Sequence, residues 1–207
     1  MPAARSSAGG STPKGAEPSE RRVENHAADD RALAQVVERG GRLAELAARG
    51  YSTVAESARA IIAERLGRGM SPRPAPAAFA REILERDIRK YHEAPLSNGP
   101  VFYDRSALEA IAMVHETLPL ADEELKSMLA AYEFHRTVFM LPPWEAIYVN
   151  DAERDHSFAH AVAVHEQLER WYRRCGYRIN EVPRVAVAHR AEHVLQALTN
   201  SDEIAAA

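Results

Sequence analysis

Two nearly unbroken apolar runs constrain this chain more than any other feature: "VFY" at 101–103 and "TVFML" at 137–141. Neither alternates apolar with polar, so both faces of each must be covered, as in a parallel strand held between two helical layers. The segments between them fit that reading. "YSTVAE" (51–56) reads as a short strand leading into the helix "SARAIIAERL". An amphipathic helix with Phe79, Ile83 and Ile88 on its apolar side ends near Tyr91, just before "VFY". Helices over Ala107–Thr117 and Asp122–Tyr132 separate the two runs. After Pro142-Pro143 come the long helix "AERDHSFAHAVAVHEQLERWYRRCG", the strand "YRINEVP" and a last helix from Val185 to Leu198. Strands separated by helices predict an α/β fold built on a three-layer parallel sheet. Ligands of such sheets bind beyond the carboxyl ends of the strands.

The beginning of the chain is different. Residues 1–30 are mostly Ala, Ser, Gly, Pro and charge, with Val23 the only β-branched aliphatic residue. Such a segment cannot offset its ordering entropy by burial and is expected to be disordered, or foreign to the domain. From about Asp30, Leu33, Val36 and Val37 fall at helical spacing and predict a short helix broken by Gly40-Gly41. A second helix, "RLAELAAR", stops at Gly50. The expected organisation is one domain over 31–200 and a tail over 201–207. At 207 residues and 46 % hydrophobic, the chain can bury one core. A net charge of −4 gives no general polycation for nucleic acid or an anionic membrane. A single cysteine, Cys175, excludes an internal disulfide framework and suits a reducing cytosol. With no apolar run near the roughly 18 residues of a membrane span, a cytoplasmic protein is expected.

The chemistry concentrates in "VFYDRS" (101–106), where a buried strand ends in an acid and a base. Asp104 is placed to hold Mg²⁺ through water or to accept a proton from an acceptor hydroxyl. Arg105 is placed to meet phosphate oxygens bidentately. Glu56 and Arg59, at the second strand's end and the next helix's first turn, face the same edge of the sheet. Arg154, early in the long helix, could close over a nucleotide. Each has a plainer alternative: Asp104 or Ser106 as a helix cap, Glu56 as an acid favoured by a helix dipole, Arg154 as a solvated charge. Other patterns read as structural. "HRAEH" (189–193) has the inverted zinc-protease spacing but no downstream third ligand, and reads as a helix face. His156 and His160 are a helical turn apart, with His165 on another face. Trp144 in "LPPWEAIY" reads as a packing anchor, and Cys175 as a helix-end packing residue.

From "LAELAARGYSTVAESARAIIAE" through "VFYDRS" to "TVFMLPPWEAIYVNDAERDHSFAHAVAVHEQLERWYRRCGYRINEVPRVAVAHRAEHVLQAL", the chain resembles the AAA-domain family of P-loop ATPases. That family is similar to the kinase domain of nicotinamide-riboside kinases. The resemblance covers residues 42–199. It implies a five-stranded nucleoside-kinase-like sheet, Mg-ATP as cofactor, a small-molecule acceptor and a mobile lid. By this likeness Asp104 and Arg105 match the metal-site acid and its neighbour, Glu56 and Arg59 the acceptor side, and Arg154 the lid.

One part of the pattern is not visible. Such a domain opens with an apolar strand running into G-x-x-x-x-G-K-[ST], whose backbone N–H groups and Lys cradle the phosphates. Here Gly40-Gly41 has no following Lys-Ser/Thr, and "GGSTPKG" (9–15) has the residue types in the wrong order with no strand before it. The strand and the loop are therefore expected to be absent or degenerate. The reading favoured is a replaced N-terminus, with "QVV" (35–37) as a short degenerate strand the alternative. The activity expected is ATP-dependent phosphoryl transfer or hydrolysis, or else that of an inactive relic or interaction protein.

Overall fold

A computed structural model describes residues 33–37, 41–94, 99–148 and 157–205; the expectations for residues 1–30 lie outside them. Five parallel strands form one sheet: β1 (Leu33–Val37), β2 (Ser52–Val54), β3 (Val101–Asp104), β4 (Thr137–Met140) and β5 (Arg178–Glu181). Among the described residues seven α-helices accompany them: α1 (Arg42–Ala48), α2 (Ser57–Gly67), α3 (Pro76–His92), α4 (Ala107–Thr117), α5 (Asp122–Ala130), α6 (Phe158–Arg174) and α7 (Val187–Ala205). A 3-10 turn, Glu145–Ile147, follows the Pro-Pro corner. The order across the sheet is β2-β3-β1-β4-β5.

The first strand corrects one expectation. Leu33–Val37 is not a helix: it is the central strand, paired in parallel with β3 on one side and β4 on the other. Its spacing suits a helix because a strand covered on both faces needs no polar alternation, and five residues are too few to separate the two periods. What decides is tertiary. Without Leu33–Val37, β3 and β4 would each expose a row of unpaired N–H and C=O groups. Of the two readings of the N-terminus, the structure has the short strand.

Side chains alternate across the sheet as the pleat requires. Leu33, Val101, Tyr103, Val138 and Met140 belong to a core with residues of α2, α3, α4 and α6. Ala34, Val36, Phe102 and Phe139 belong to the opposite core, closed by Leu46 of α1 and Ala191, Val194 and Leu198 of α7. β4 is buried along its whole length, as its uninterrupted apolar run predicts.

Gln35 breaks this pattern. It is fully buried on the central strand, and neither its amide nitrogen nor its oxygen has a hydrogen-bond partner among the described residues. Desolvating an unpaired amide costs a few kcal/mol. Gln35→Met, close in volume, is expected to raise the urea-unfolding free energy by about 1–2 kcal/mol with an unchanged m-value.

Candidate functional site

Because the strands are parallel, the carboxyl ends of β2 and β3 open onto the same edge, and the chain leaves both into a helix. β2 leads to Glu56, which is the N-cap position of α2, and Arg59 follows in the first turn. Asp104 is the last residue of β3. Arg105 then takes a left-handed conformation, φ 65°, which is sparsely populated outside glycine. Its N–H donates to Val36 O of the central strand at 3.4 Å. Strain of this kind persists only where surrounding contacts over-determine it. Here they do: Arg105 Nε stands 3.1 Å from Glu56 Oε1, an ion pair not aligned as a hydrogen bond, and Arg59 Nε lies 3.8 Å from Glu56 Oε2. Burial works against the Arg105 charge, but Glu56, Glu109 and Asp104 outweigh it and hold the guanidinium above its ordinary range.

Behind this edge lies a set of buried carboxyls. Ser106 caps α4 by accepting from Leu108 N at 3.2 Å. Glu109 completes the box: its Oε2 accepts from Ser106 N at 2.7 Å and from Ser106 Oγ at 2.8 Å. Burial raises the Glu109 carboxyl, and the nearby Arg105 opposes that rise. Tyr172 of α6 is also fully buried beside it, and burial, reinforced by the Glu109 charge, lifts the phenol well above its usual range. From α3, Asp87 Oδ1 accepts a 2.5 Å hydrogen bond from Ser57 Oγ at the start of α2. Burial pushes Asp87 up to about 6. One turn on, Lys90 Nζ donates to Ala55 O at 2.6 Å and ties α3 to the end of β2.

Ser57, Asp87, Ser106 and Glu109, together with Glu56 and Arg105, line a cleft of about 360 Å³ between α2, α3, α4 and α6. Ile83, Met113, Leu168 and Trp171 supply apolar walls. Trp171 is fixed by its indole N–H donating to Leu108 O at 3.0 Å. Across the cleft Gln167 donates to Glu116. A concave, mostly apolar space with a few converging polar groups is the usual form of a small-molecule site.

The structure thus brings Asp104, Arg105, Glu56 and Arg59 to one edge. Arg154 and His156 lie outside the described residues. The alternative of Ser106 as a helix cap holds, and Ser106 rather than Asp104 performs it. Two residues escaped the sequence reading. Glu109 is announced by the S-x-x-E spacing from Ser106, and Asp87 by its place on the stripe Phe79–Ile83–Asp87, where an acid takes an apolar position. Elsewhere, the "HRAEH" residues are engaged structurally: Glu192 with Arg49 at 3.0 Å, and His193 with Asn180 Oδ1 at 2.7 Å. Cys175 is half-buried, and burial raises its thiol to about 11 against the pull of Arg174.

For a nucleotide, the two halves of the site differ. Asp104, half-buried at a strand end, offers one carboxylate through which a hydrated Mg²⁺ could be held, while among the described residues no group of three or more His, Cys, Asp or Glu could hold the ion directly. On the phosphate side, α1 contains no Lys, and its first turn carries Glu45, engaged with Arg49 Nε at 2.9 Å. β1 and α1 are joined by Glu38-Arg39-Gly40-Gly41, of which only Gly41 is among the described residues. The described residues therefore fit the metal better than the triphosphate.

No curated protein matches the chain at a significant level. A family model described as an AAA domain matches residues 42–190, from the first residue of α1 to the buried Arg190 of α7. That match takes in both carboxylate-bearing strand ends and the whole cleft, and the five-stranded parallel sheet, whose β1 precedes the matched residues, fits such a domain. The chain belongs to the AAA-domain family of nucleotide-binding, P-loop NTPase-like proteins.

Proposed function

We propose that this domain binds a small hydroxyl-bearing molecule in the cleft between α2, α3, α4 and α6. Its chemistry is Mg-ATP-dependent phosphoryl transfer to that hydroxyl in a reducing cytosol, as the likeness to nicotinamide-riboside kinases implies. The observation that carries the reading is the convergence of Glu56, Arg59, Asp104 and Arg105 at one sheet edge, two of which, Glu56 and Arg105, also line a 360 Å³ cleft. In this reading Glu56 and Arg59 orient the acceptor. Asp104 would hold the hydrated metal, or it receives the hydroxyl proton as the new P–O bond forms and the bond from the γ-phosphorus to the departing ADP breaks. Arg105 meets charge on the transferred group, and Arg154 serves the lid. Mg²⁺ would screen the phosphate oxygens.

A second reading has its own support. The four residues between β1 and α1 hold no Lys and no hydroxyl, so a domain with a complete acceptor side and no phosphate cradle would be an inactive, ligand-binding relic. Calorimetric titration of the full chain with Mg-ATP, beside Asp104→Ala, separates the two. Phosphoryl transfer predicts micromolar affinity that falls at least about tenfold in the variant, the equivalent of one lost charge-assisted contact. A folded chain that takes up no Mg-ATP is the relic.

A further inference from the structure

Asp87 is the buried group that neither the strand-end chemistry nor the fold explains. It projects from α3, is 9 % exposed and lines the cleft beside Glu56 and Arg105. Among the described residues its one hydrogen bond comes from Ser57 Oγ, and no ion pair reaches it directly, although the Lys90 charge offsets part of its burial. Lys90, one turn away, is occupied by Ala55 O. A buried carboxyl with a single neutral donor is a poor structural element. Its position on the Phe79–Ile83 stripe would be filled more stably by an apolar residue. The charge around it is one-sided as well. Among the described residues the cleft presents four carboxyls, Glu56, Asp87, Glu109 and Glu116, against one guanidinium, Arg105, and one imidazole, His160.

We propose that Asp87 is the specificity-determining residue of this cleft. It accepts a hydrogen bond from a second donor on the bound molecule, which is therefore an amino alcohol or polyol with an apolar body and no acidic group. The inference rests on the acceptor-cleft reading above. Ser57 holds one carboxyl oxygen from the start of α2, so the other is left for the ligand. Glu56 and Arg105 line the same cleft, where the reacting hydroxyl would lie. The apolar walls from Ile83, Met113 and Trp171 suit the body. A carboxylate or phosphate on the ligand would enter a surface already short of cations and be repelled.

A matched trio on one carbon skeleton tests this without ATP: phenylalaninol, 3-phenylpropane-1,2-diol and 3-phenyllactate, titrated into the full chain by ligand-observed NMR. The amino alcohol and the diol are expected to bind, with the amino alcohol at least about tenfold tighter than the acid, as a charge-assisted hydrogen bond gives. Asp87→Asn, nearly isosteric and still able to accept from Ser57, is expected to bring that ratio to within about threefold. Ser57→Ala removes the structural hydrogen bond but keeps the carboxylate, and should retain the preference. A merely structural Asp87 would leave the ratio unchanged in Asp87→Asn, which overturns the assignment while the cleft reading stands. Tighter binding of the acid overturns it too. If none of the three binds, the acceptor-cleft reading fails, and this proposal with it.

Discussion

Glu109→Ala is expected to lower the unfolding free energy by about 3–4 kcal/mol, measured by equilibrium urea denaturation against wild type. Three losses combine. The capping box disappears, since Glu109 Oε2 serves both Ser106 N and Ser106 Oγ, and such caps are worth about 1 kcal/mol. Arg105 loses one of the acids that sustain its charge in buried surroundings. The side chain, 3 % exposed, leaves a cavity beside Tyr172. Glu109→Gln should lie within about 1 kcal/mol of wild type, because an amide oxygen still accepts from Ser106 and the desolvation that raises the carboxyl is relieved. A loss in the Gln variant as large as in the Ala variant would mean that ionisation, rather than the cap, holds this corner together.

The second large effect has the opposite sign. Asp87→Asn is expected to stabilise the domain by about 2 kcal/mol at pH 7–8, a rise of roughly 4–8 °C in melting temperature. Burial raises the folded carboxyl from 3.8 to about 6, with Glu109 and Glu56 adding to the rise and Ser57 and Lys90 opposing it. A group whose folded pKa lies above its unfolded one favours folding only while protonated. Its contribution is complete below about 4 and is lost as the pH passes 6. The advantage of Asn should therefore shrink on acidification and be under about 1 kcal/mol at pH 4. Paired melts at pH 4 and pH 8 read this directly. No difference between the two pH values would mean that Asp87 is not desolvated. Stability given up at a cleft residue is the usual mark of a position kept for binding.

Most of the frame was legible from local patterns. "TVFML" and "VFY" lie in fully covered strands, and the helix over Ala107–Thr117 has the predicted bounds. The long C-terminal helix α7 likewise follows from its periodicity, although it runs on to Ala205. β1 was not legible, because Leu33–Val37 is shaped by its two neighbours and its apolar residues suit either period. The site divides in the same way. Glu56, Asp104 and Arg105 stand at strand ends, where chain order alone predicts a ligand edge. Asp87 comes from the middle of a helix, and only the packing of α3 against α2 and α4 carries it to the cleft. Its signal, an acid on an apolar stripe, marks an anomaly without saying where in space it falls.

The placing of β1 also sets an order of events for a growing chain. Its partners arrive late: Val101 for Leu33, and Val138 for Gln35, about a hundred residues further on. Until the segment around Thr137–Met140 is made, the middle strand has one open side and its apolar residues lack half their cover. Long loops must close before any pairing rewards them, so parallel pairing at this separation is slow. The half-made domain is a sticky object throughout that interval. The central strand is made before the other four and waits for the fourth before both its edges are paired.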